Sequence, residues 1–128
     1  MDIDKYIGIP YDYKNMDCAA FVAKVLQEAH GKELVAPTNS RTSYRSRNEA
    51  VAASRGVLAE RLEKPEEGCI VLMYEAGQDV HWHLGLYYLV DYYPQVLHSS
   101  ARIGSSSLDK LSDLKSYGLE VEGFYKCK

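Results

Sequence analysis

The chain has 128 residues, of which 46% are hydrophobic and 26% are charged, a composition typical of one compact domain spanning residues 1–128. Fifteen Lys and Arg residues against eighteen Asp and Glu residues give a net charge of -3, which argues against the strong basic field of a nucleic-acid binder. The longest apolar runs are far shorter than the roughly 20 residues that cross a bilayer, so no membrane span is predicted.

The N-terminus and the cysteines indicate where the chain is made and what its thiols do. Met1–Lys5 lacks the basic start and apolar stretch of a secretory signal, so we predict synthesis in the cytoplasm without a signal peptide. The three cysteines form no C-x-x-C pair, which favours neither a disulfide framework nor a cysteine-rich zinc site. The glycines are scattered singly, so no nucleotide cofactor is predicted.

An irregular segment, Tyr6–Asn15, precedes the strongest helical pattern of the chain. Asp17 is the expected N-cap of this helix, and Gly31 is its expected C-terminal stop. From Cys18 onward the apolar residues recur at helical spacing: Phe21, Val22, Val25, Leu26 and Ala29.

A weaker helical pattern, with one or two short helices, is predicted over Ser40–Leu62 after the break at Pro37–Asn39. Its arginines are expected to form a solvated helix face, with contact to an anionic polymer or to substrate carboxylates as the alternative. They are Arg41, Arg45, Arg47, Arg55 and Arg61.

The character of the chain changes to β after Pro65. Runs of β-branched and aromatic residues between turn residues predict an antiparallel meander over Cys69–Tyr74, His81–Val90 and Gln95–Ser99. A short helix through Leu108, Leu111 and Leu114 and a closing strand over Leu119–Tyr125 are predicted to follow. Helices first and strands after predict an α+β layer with the Cys18 helix on one sheet face.

The position of Cys18, in the first turn of the predicted helix, favours a reactive thiol. A helix N-terminus carries roughly half a positive charge and offers free N–H groups, both of which stabilise a thiolate. The carboxylate of Asp17 acts in the opposite direction, so a nucleophilic Cys18 needs a partner that takes its proton. A small buried structural cysteine is the alternative.

Three histidines on predicted strands are candidate partners: His81, His83 and His98. His98 shares a sheet face with His83 if the antiparallel hairpin between them pairs residues whose numbers add to an odd value. A Cys–His couple oriented by a third polar group is the arrangement of thiol nucleophilic catalysis. A metal site formed by the three histidines and Cys18 is the alternative.

Four segments follow one another along the chain: Y-D-Y-K-N-M-D-C-A-A-F-V from Tyr11, P-E-E-G-C-I-V-L from Pro65, H-L-G-L-Y-Y from His83 and V-L-H-S-S from Val96. In this order and spacing they resemble the NlpC/p-sixty family of papain-like cell-wall cysteine peptidases. The matching motifs of that family are an aromatic approach with a tyrosine, D-C-S-G-F/L-V, P-x-x-G-D, H-V-G-I-Y and a later strand that ends in His.

The resemblance implies an α+β, papain-like NlpC-type fold, in which an N-terminal catalytic helix packs on a mostly antiparallel β-sheet. It implies a Cys-His-His thiol mechanism with Cys18 as the nucleophile and His83 as the general base. His98 is then the polar group that orients His83.

Further residues are assigned to the oxyanion or the substrate by the same resemblance. Tyr11 matches the tyrosine that helps to hold the developing oxyanion, and a backbone N–H at the helix start, beside Ala19, supplies a second donor. Separately from the resemblance, Tyr11, Tyr13 and Tyr44 lie on non-strand segments near the presumed site and are expected to line a groove for a peptide or sugar.

The implied reaction is hydrolysis of peptide bonds in peptidoglycan stem peptides, such as the bond between D-Glu and a diamino acid, without metal or other cofactor. The chain is then expected to act at the cell wall after delivery by another system. A phage tail, a secretion machine or an inhibitor protein is the expected protein partner.

Some residues depart from the family pattern. Ala19-Ala20 replaces Ser-Gly after the cysteine, Lys14-Asn15 replaces Gly-Gly, and Cys69 stands where Asp is usual. These departures motivate an alternative function, a non-catalytic phage-tail or wall-binding module that retains the fold. Thiol-dependent acyl transfer on lipids is disfavoured because permuted relatives with that activity place the histidine before the cysteine.

Overall fold

A computed structural model describes residues 2–12, 14–33, 60–75 and 78–126 of the chain, with the backbone alone for residues 75 and 78–82. These residues contain one α-helix, α1 (Cys18–His30), and two 3₁₀ helices, Ile3–Tyr6 and Leu111–Tyr117. The strands are β1 (Arg61–Leu62), β2 (Ile70–Glu75), β3 (Gln78–Val90), β4 (Tyr93–Ser99), β5 (Ser106–Lys110) and β6 (Leu119–Tyr125).

The six strands form one antiparallel sheet with the order β1-β6-β2-β3-β4-β5. The chain runs from β2 to β5 as a meander, and β6 then returns to pair with the outer side of β2. Asp91 and Tyr92 connect β3 to β4 with positive φ angles of 52° and 70°, as expected for a two-residue hairpin turn.

Side chains alternate between the two faces of this sheet, and each face carries its own apolar cluster. The larger cluster joins α1 to the sheet residues Ile70, Leu72, Leu84, Leu86, Tyr88, Leu97 and Tyr125. The smaller cluster lies on the other face and includes Cys69, Val71, Met73, Tyr87, Val96, Leu114 and Leu119. The sheet therefore separates α1 from the 3₁₀ helix Leu111–Tyr117.

Helix α1 begins and ends at the residues that the sequence predicts. The side chain of Asp17 accepts a hydrogen bond from the Ala20 N–H at 2.9 Å, which satisfies a donor of the first turn. Gly31 ends the helix in the left-handed conformation, with a φ of 62°. The helix packs against β3 and β4.

The segment that leads to α1 is held against β5 by the backbone and the buried hydroxyl of Ser106, whose backbone pairs with Gly8 and Ile9. Ser106 Oγ accepts from the Ile9 N–H at 2.8 Å and donates to the carbonyl oxygen of Tyr6 at 2.6 Å. Farther along, the Tyr11 N–H donates to the carbonyl oxygen of Gly104 at 3.0 Å. These bonds determine where the chain enters α1.

The predicted fold class is wrong. Instead of a helix-packed α+β papain-like fold, the described residues form mostly a six-stranded antiparallel sheet with a single α-helix, Cys18–His30. The short helix expected at Leu108 is strand β5, and only a 3₁₀ helix follows it. Pairing with the free side of β4 outweighs the weak helical spacing of the leucines, because it satisfies the backbone of both strands.

Most of the other predicted elements are confirmed, and some lie outside the described residues. The strands expected over Cys69–Tyr74, His81–Val90, Gln95–Ser99 and Leu119–Tyr125 are confirmed, with ends shifted by up to three residues. Of the helical pattern predicted over Ser40–Leu62, residues 40–59 lie outside the described residues, and Arg61–Leu62 is a strand instead. In the part of the chain that the structure describes, no helix has the length and apolar character needed to cross a membrane.

Candidate active site

Cys18 is the first residue of α1 and is almost fully buried, with 4% of its surface exposed. Its position in the first turn follows from the N-cap Asp17, because capping stops the helix from extending toward Met16. Ala19 is the second helical residue and is buried in the same cluster. Backbone N–H groups in a first helical turn have no partner four residues earlier within the helix, so this end of α1 favours a negative charge.

His83 and His98 are brought together by the sheet. His83 Nε2 lies 2.8 Å from His98 Nδ1, and the two rings meet edge to face with centroids 5.0 Å apart. The other nitrogen of the second ring, His98 Nε2, lies 2.7 Å from Asp109 Oδ2. A continuous chain of hydrogen bonds therefore links the two histidines to a carboxylate.

Strand pairing explains this juxtaposition. His98 on β4 is opposite Gly85 on β3 and opposite Ser107 on β5. His83 and Asp109 are each displaced by two residues from those partners, so their side chains point to the same face as the His98 ring. The paired residues of β3 and β4 have numbers that add to an odd value, as the sequence analysis required for His83 and His98 to share a face.

Gly85 leaves the space in which the His98 side chain lies. A Cβ at this position would come within 2.5 Å of Val96 Cγ1, 3.1 Å of Met73 Cε and 3.2 Å of His98 Cβ. Because Gly85 has no side chain, His98 packs over the backbone of β3 and extends toward His83.

Asp109 is held as a carboxylate by its neighbours. Burial raises the pKa of this carboxyl, but hydrogen bonds from His98 and Ser107 and the nearby Tyr117 hydroxyl outweigh burial and leave the pKa below its ordinary value. The Ser107 hydroxyl donates to Asp109 Oδ2 at 2.7 Å. The His98 side chain is 0% exposed and that of Asp109 is 13% exposed, so the contact between them is shielded from water.

The contact at the C-terminal end of α1, together with the length of the helix, indicates that α1 begins toward the end of the sheet where His83 lies, and the segment before the helix runs to the same end. At the far end of the helix, His30 Nε2 is 2.7 Å from the Tyr88 hydroxyl. A helix of 13 residues is about 18 Å long, and a strand covers that distance in about five residues, which leads from Tyr88 back to His83. Independently, Pro10 forms a bridge to Ser105 just before β5, and continuing the strand registers from Ser105 across β4 leads to His83.

At the end of the sheet where His83 lies, the edge of β3 is not paired with β4. Helix α1 packs on the sheet face that carries Leu84 and Leu97. The side chains of His83, His98 and Asp109 lie on the opposite face, because these residues alternate with those leucines along the paired strands. The pairing of β3 with β4 begins at Gly85, and β4 ends at Ser99. The residues of β3 before Gly85 therefore pair only with β2 among the described strands, and β3 forms an edge of the sheet there.

Of the remaining predicted residues Tyr11, Tyr13 and His81, the structure describes the side chain of Tyr11. Tyr11 is half-buried and joined to Gly104 through its backbone, so it borders the same end. Tyr13 and Tyr44 lie outside the described residues, and the side chain of His81 is also not described. His30, at the C-terminal end of α1, contacts the Tyr88 hydroxyl, and burial lowers its pKa.

The sequence analysis missed Asp109 and the hydroxyl of Ser107. The cause is the helix predicted at Leu108, because helical spacing does not align positions 107 and 109 with His98. Ser106–Lys110 contains one apolar residue, Leu108, among four polar ones, so its sequence has no strict alternation that would indicate a strand.

The part of the chain that the structure describes contains no candidate metal site, and the comparisons with known proteins give no match. Among residues 2–12, 14–33, 60–75 and 78–126, apart from the side chains left undescribed, no group of three or more His, Cys, Asp or Glu residues is placed to hold a metal ion. Comparison of the chain with protein-family models, curated proteins and solved structures finds no match.

Proposed function

We propose that the chain is a cysteine endopeptidase that hydrolyses peptide bonds in peptidoglycan stem peptides. The observation that carries the proposal is the hydrogen-bonded chain from His83 through His98 to Asp109, on strands of which two, β3 and β4, pack against the helix that begins with Cys18. A histidine oriented by a polar partner and a thiol at a helix N-terminus are the two parts of a thiol nucleophile. The four motifs shared with cell-wall peptidases supply the substrate class.

In the first half of the reaction, His83 takes the proton of the Cys18 thiol. The thiolate attacks the carbonyl carbon of the substrate amide and forms a C–S bond, while the carbonyl oxygen becomes an oxyanion. Backbone N–H groups in the first turn of α1, such as that of Ala19, and the hydroxyl of Tyr11 are the proposed donors to this oxyanion. The C–N bond then breaks, and His83 returns its proton to the departing amine.

In the second half, water attacks the resulting thioester. His83 takes a proton from the water, the C–O bond forms, and the C–S bond breaks. The proton returns to sulfur, so that Cys18 is restored as a thiol and the product is a carboxylic acid. Water is the only reactant besides the peptide.

This mechanism places a geometric requirement on the site. Most of α1 packs on the sheet face opposite the His83 side chain. The mechanism therefore requires the Cys18 thiol to reach the imidazole around the edge of β3 before Gly85, where β3 does not pair with β4. The nitrogen of His83 that takes the thiol proton must be Nδ1, since Nε2 is engaged with His98.

The test is mass spectrometry of defined muropeptides incubated with the wild type, Cys18→Ala and Cys69→Ala. Cys69 is the matched control because it is also a buried thiol but packs in the other apolar cluster, where burial raises its pKa. We expect cleavage by the wild type and by Cys69→Ala and none by Cys18→Ala. Full cleavage by Cys18→Ala, or no cleavage by the wild type, refutes the peptidase.

Thiol labelling separates the peptidase from a binding module. In short pulses of iodoacetamide at neutral pH, a nucleophilic Cys18 is alkylated before Cys69, and His83→Gln slows this alkylation. Equal, slow alkylation of both thiols in the folded protein indicates two structural cysteines and favours a non-catalytic wall-binding module.

A further inference from the structure

The chain of hydrogen bonds in the site ends in a group that only accepts. An ionised carboxylate has no proton to donate, so Asp109 Oδ2 accepts from His98 Nε2 across their 2.7 Å contact. In a neutral imidazole one nitrogen carries the proton and the other is an acceptor. His98 Nδ1 is then an acceptor, and the only donor to it across the 2.8 Å contact is His83 Nε2–H.

The same rule applied once more defines which nitrogen of His83 holds the lone pair. Because Nε2 carries the proton of that neutral ring, Nδ1 holds the lone pair. We propose that Asp109 is a positioning residue that sets the direction of the whole chain and thereby makes Nδ1 the basic nitrogen of His83. Its use in catalysis rests on the peptidase proposed above, whereas the tautomers of the two rings do not.

The surroundings of Asp109 suit this role. The Ser107 hydroxyl donates to the same oxygen that accepts from His98, at 2.7 Å, which adds a second contact that requires an acceptor at this position. His98 is 0% exposed, so bulk water does not replace a missing acceptor beside Nε2. With a neutral group in place of the carboxylate, the chain has no fixed direction.

The experiment is ¹⁵N–¹H NMR of the histidine side chains near pH 7.5, with His83 and His98 assigned by single substitution to Gln. In the wild type we expect both rings as the Nε2–H tautomer. In Asp109→Asn the amide both donates and accepts, so the Nδ1–H tautomer of His83 becomes populated. Asp91→Asn is the matched control, because Asp91 lies in the exposed hairpin turn, where Asn tolerates a φ of 52°.

Three outcomes overturn the proposal: His83 as the Nδ1–H tautomer in the wild type, a doubly protonated His98 at this pH, or unchanged tautomers in Asp109→Asn. The wild-type measurement needs no variant and stands even if a substitution prevents folding. If muropeptides are cleaved, Asp109→Asn should lower kcat at least about tenfold and change its pH profile, with KM little affected. If the wild type cleaves none, the peptidase fails while the tautomers still decide the role of Asp109.

Discussion

Replacing Gly85 with alanine tests whether the site depends on a close approach between β3 and β4. The added Cβ would lie 2.5 Å from Val96 Cγ1, well inside the ordinary contact distance of about 3.5 Å or more. Val96 is 0% exposed, and a buried, branched side chain has few alternative rotamers. The backbone of β3 or β4 must therefore move by several tenths of an ångström.

The magnitude follows from the packing. Adding one methyl group to a well-packed core costs about 1–3 kcal/mol of the free energy of unfolding. With an m-value of about 2 kcal/mol per M, a loss of 2 kcal/mol lowers the urea midpoint by about 1 M. The same shift moves His98, whose Cβ lies 3.2 Å from the new methyl group, so its hydrogen bond to His83 should weaken.

The assay is urea unfolding of Gly85→Ala, Val96→Ala and the double variant, with Gly123→Ala as the matched control. A Cβ at Gly123 also meets an atom at 2.9 Å, but that atom is at the end of the long Arg61 side chain, which is bonded to Glu122 and Tyr125 at the surface and is 59% exposed. We expect less than about 1 kcal/mol for the control. In the double variant the clash is relieved, so its loss of stability should be smaller than the sum of the single losses by about 1 kcal/mol or more.

Additive losses in the double variant would show that the methyl group at position 85 does not contact Val96. Equal losses in Gly85→Ala and Gly123→Ala would show that the cost is a general effect of alanine in a strand. Either result refutes the close packing from which we derive the position of His98.

Three further substitutions test other parts of the structure. Asp17→Ala removes the N-cap bond to Ala20 and should cost about 0.5–2 kcal/mol of stability, mostly restored in Asp17→Ser, as measured by thermal unfolding. Burial lowers the pKa of His30 in the folded state. The free energy of unfolding should therefore fall as the pH is lowered from the ordinary histidine pKa of about 6.5 through the folded pKa. His30→Gln should flatten this pH dependence, and an unchanged slope would contradict the burial of His30. Ser106→Ala leaves the Ile9 N–H and the Tyr6 carbonyl without their buried partner, and we expect a loss of about 1–3 kcal/mol of the free energy of unfolding. Amide exchange in the segment before α1 should become faster. Ser112→Ala, on the exposed side of a 3₁₀ helix, should change neither quantity.

The confirmed elements are those whose determinants are local in sequence. Asp17 and Gly31 define the ends of α1 through their own backbone and side-chain geometry, and both predictions are confirmed. The strands rich in β-branched and aromatic residues are also confirmed. The predicted fold class is wrong because the described residues form mostly a sheet with a single α-helix, and at Leu108 the free side of β4 decided the conformation.

The candidate site shows the same division. His83 and His98 were identifiable because alternation along a hairpin determines which residues share a face. Asp109 was not, since its contact with His98 depends on a third strand and on the register in which that strand pairs.

The sequence by itself determined the limits of α1, the main strands and the identity of the thiol and histidines that are candidates for catalysis, because each depends on neighbours within a few positions. Only the tertiary structure decided that the sheet has six strands and that a carboxylate ends the histidine chain. Register between strands is set by the packing of both sheet faces at once, and no local pattern contains that information.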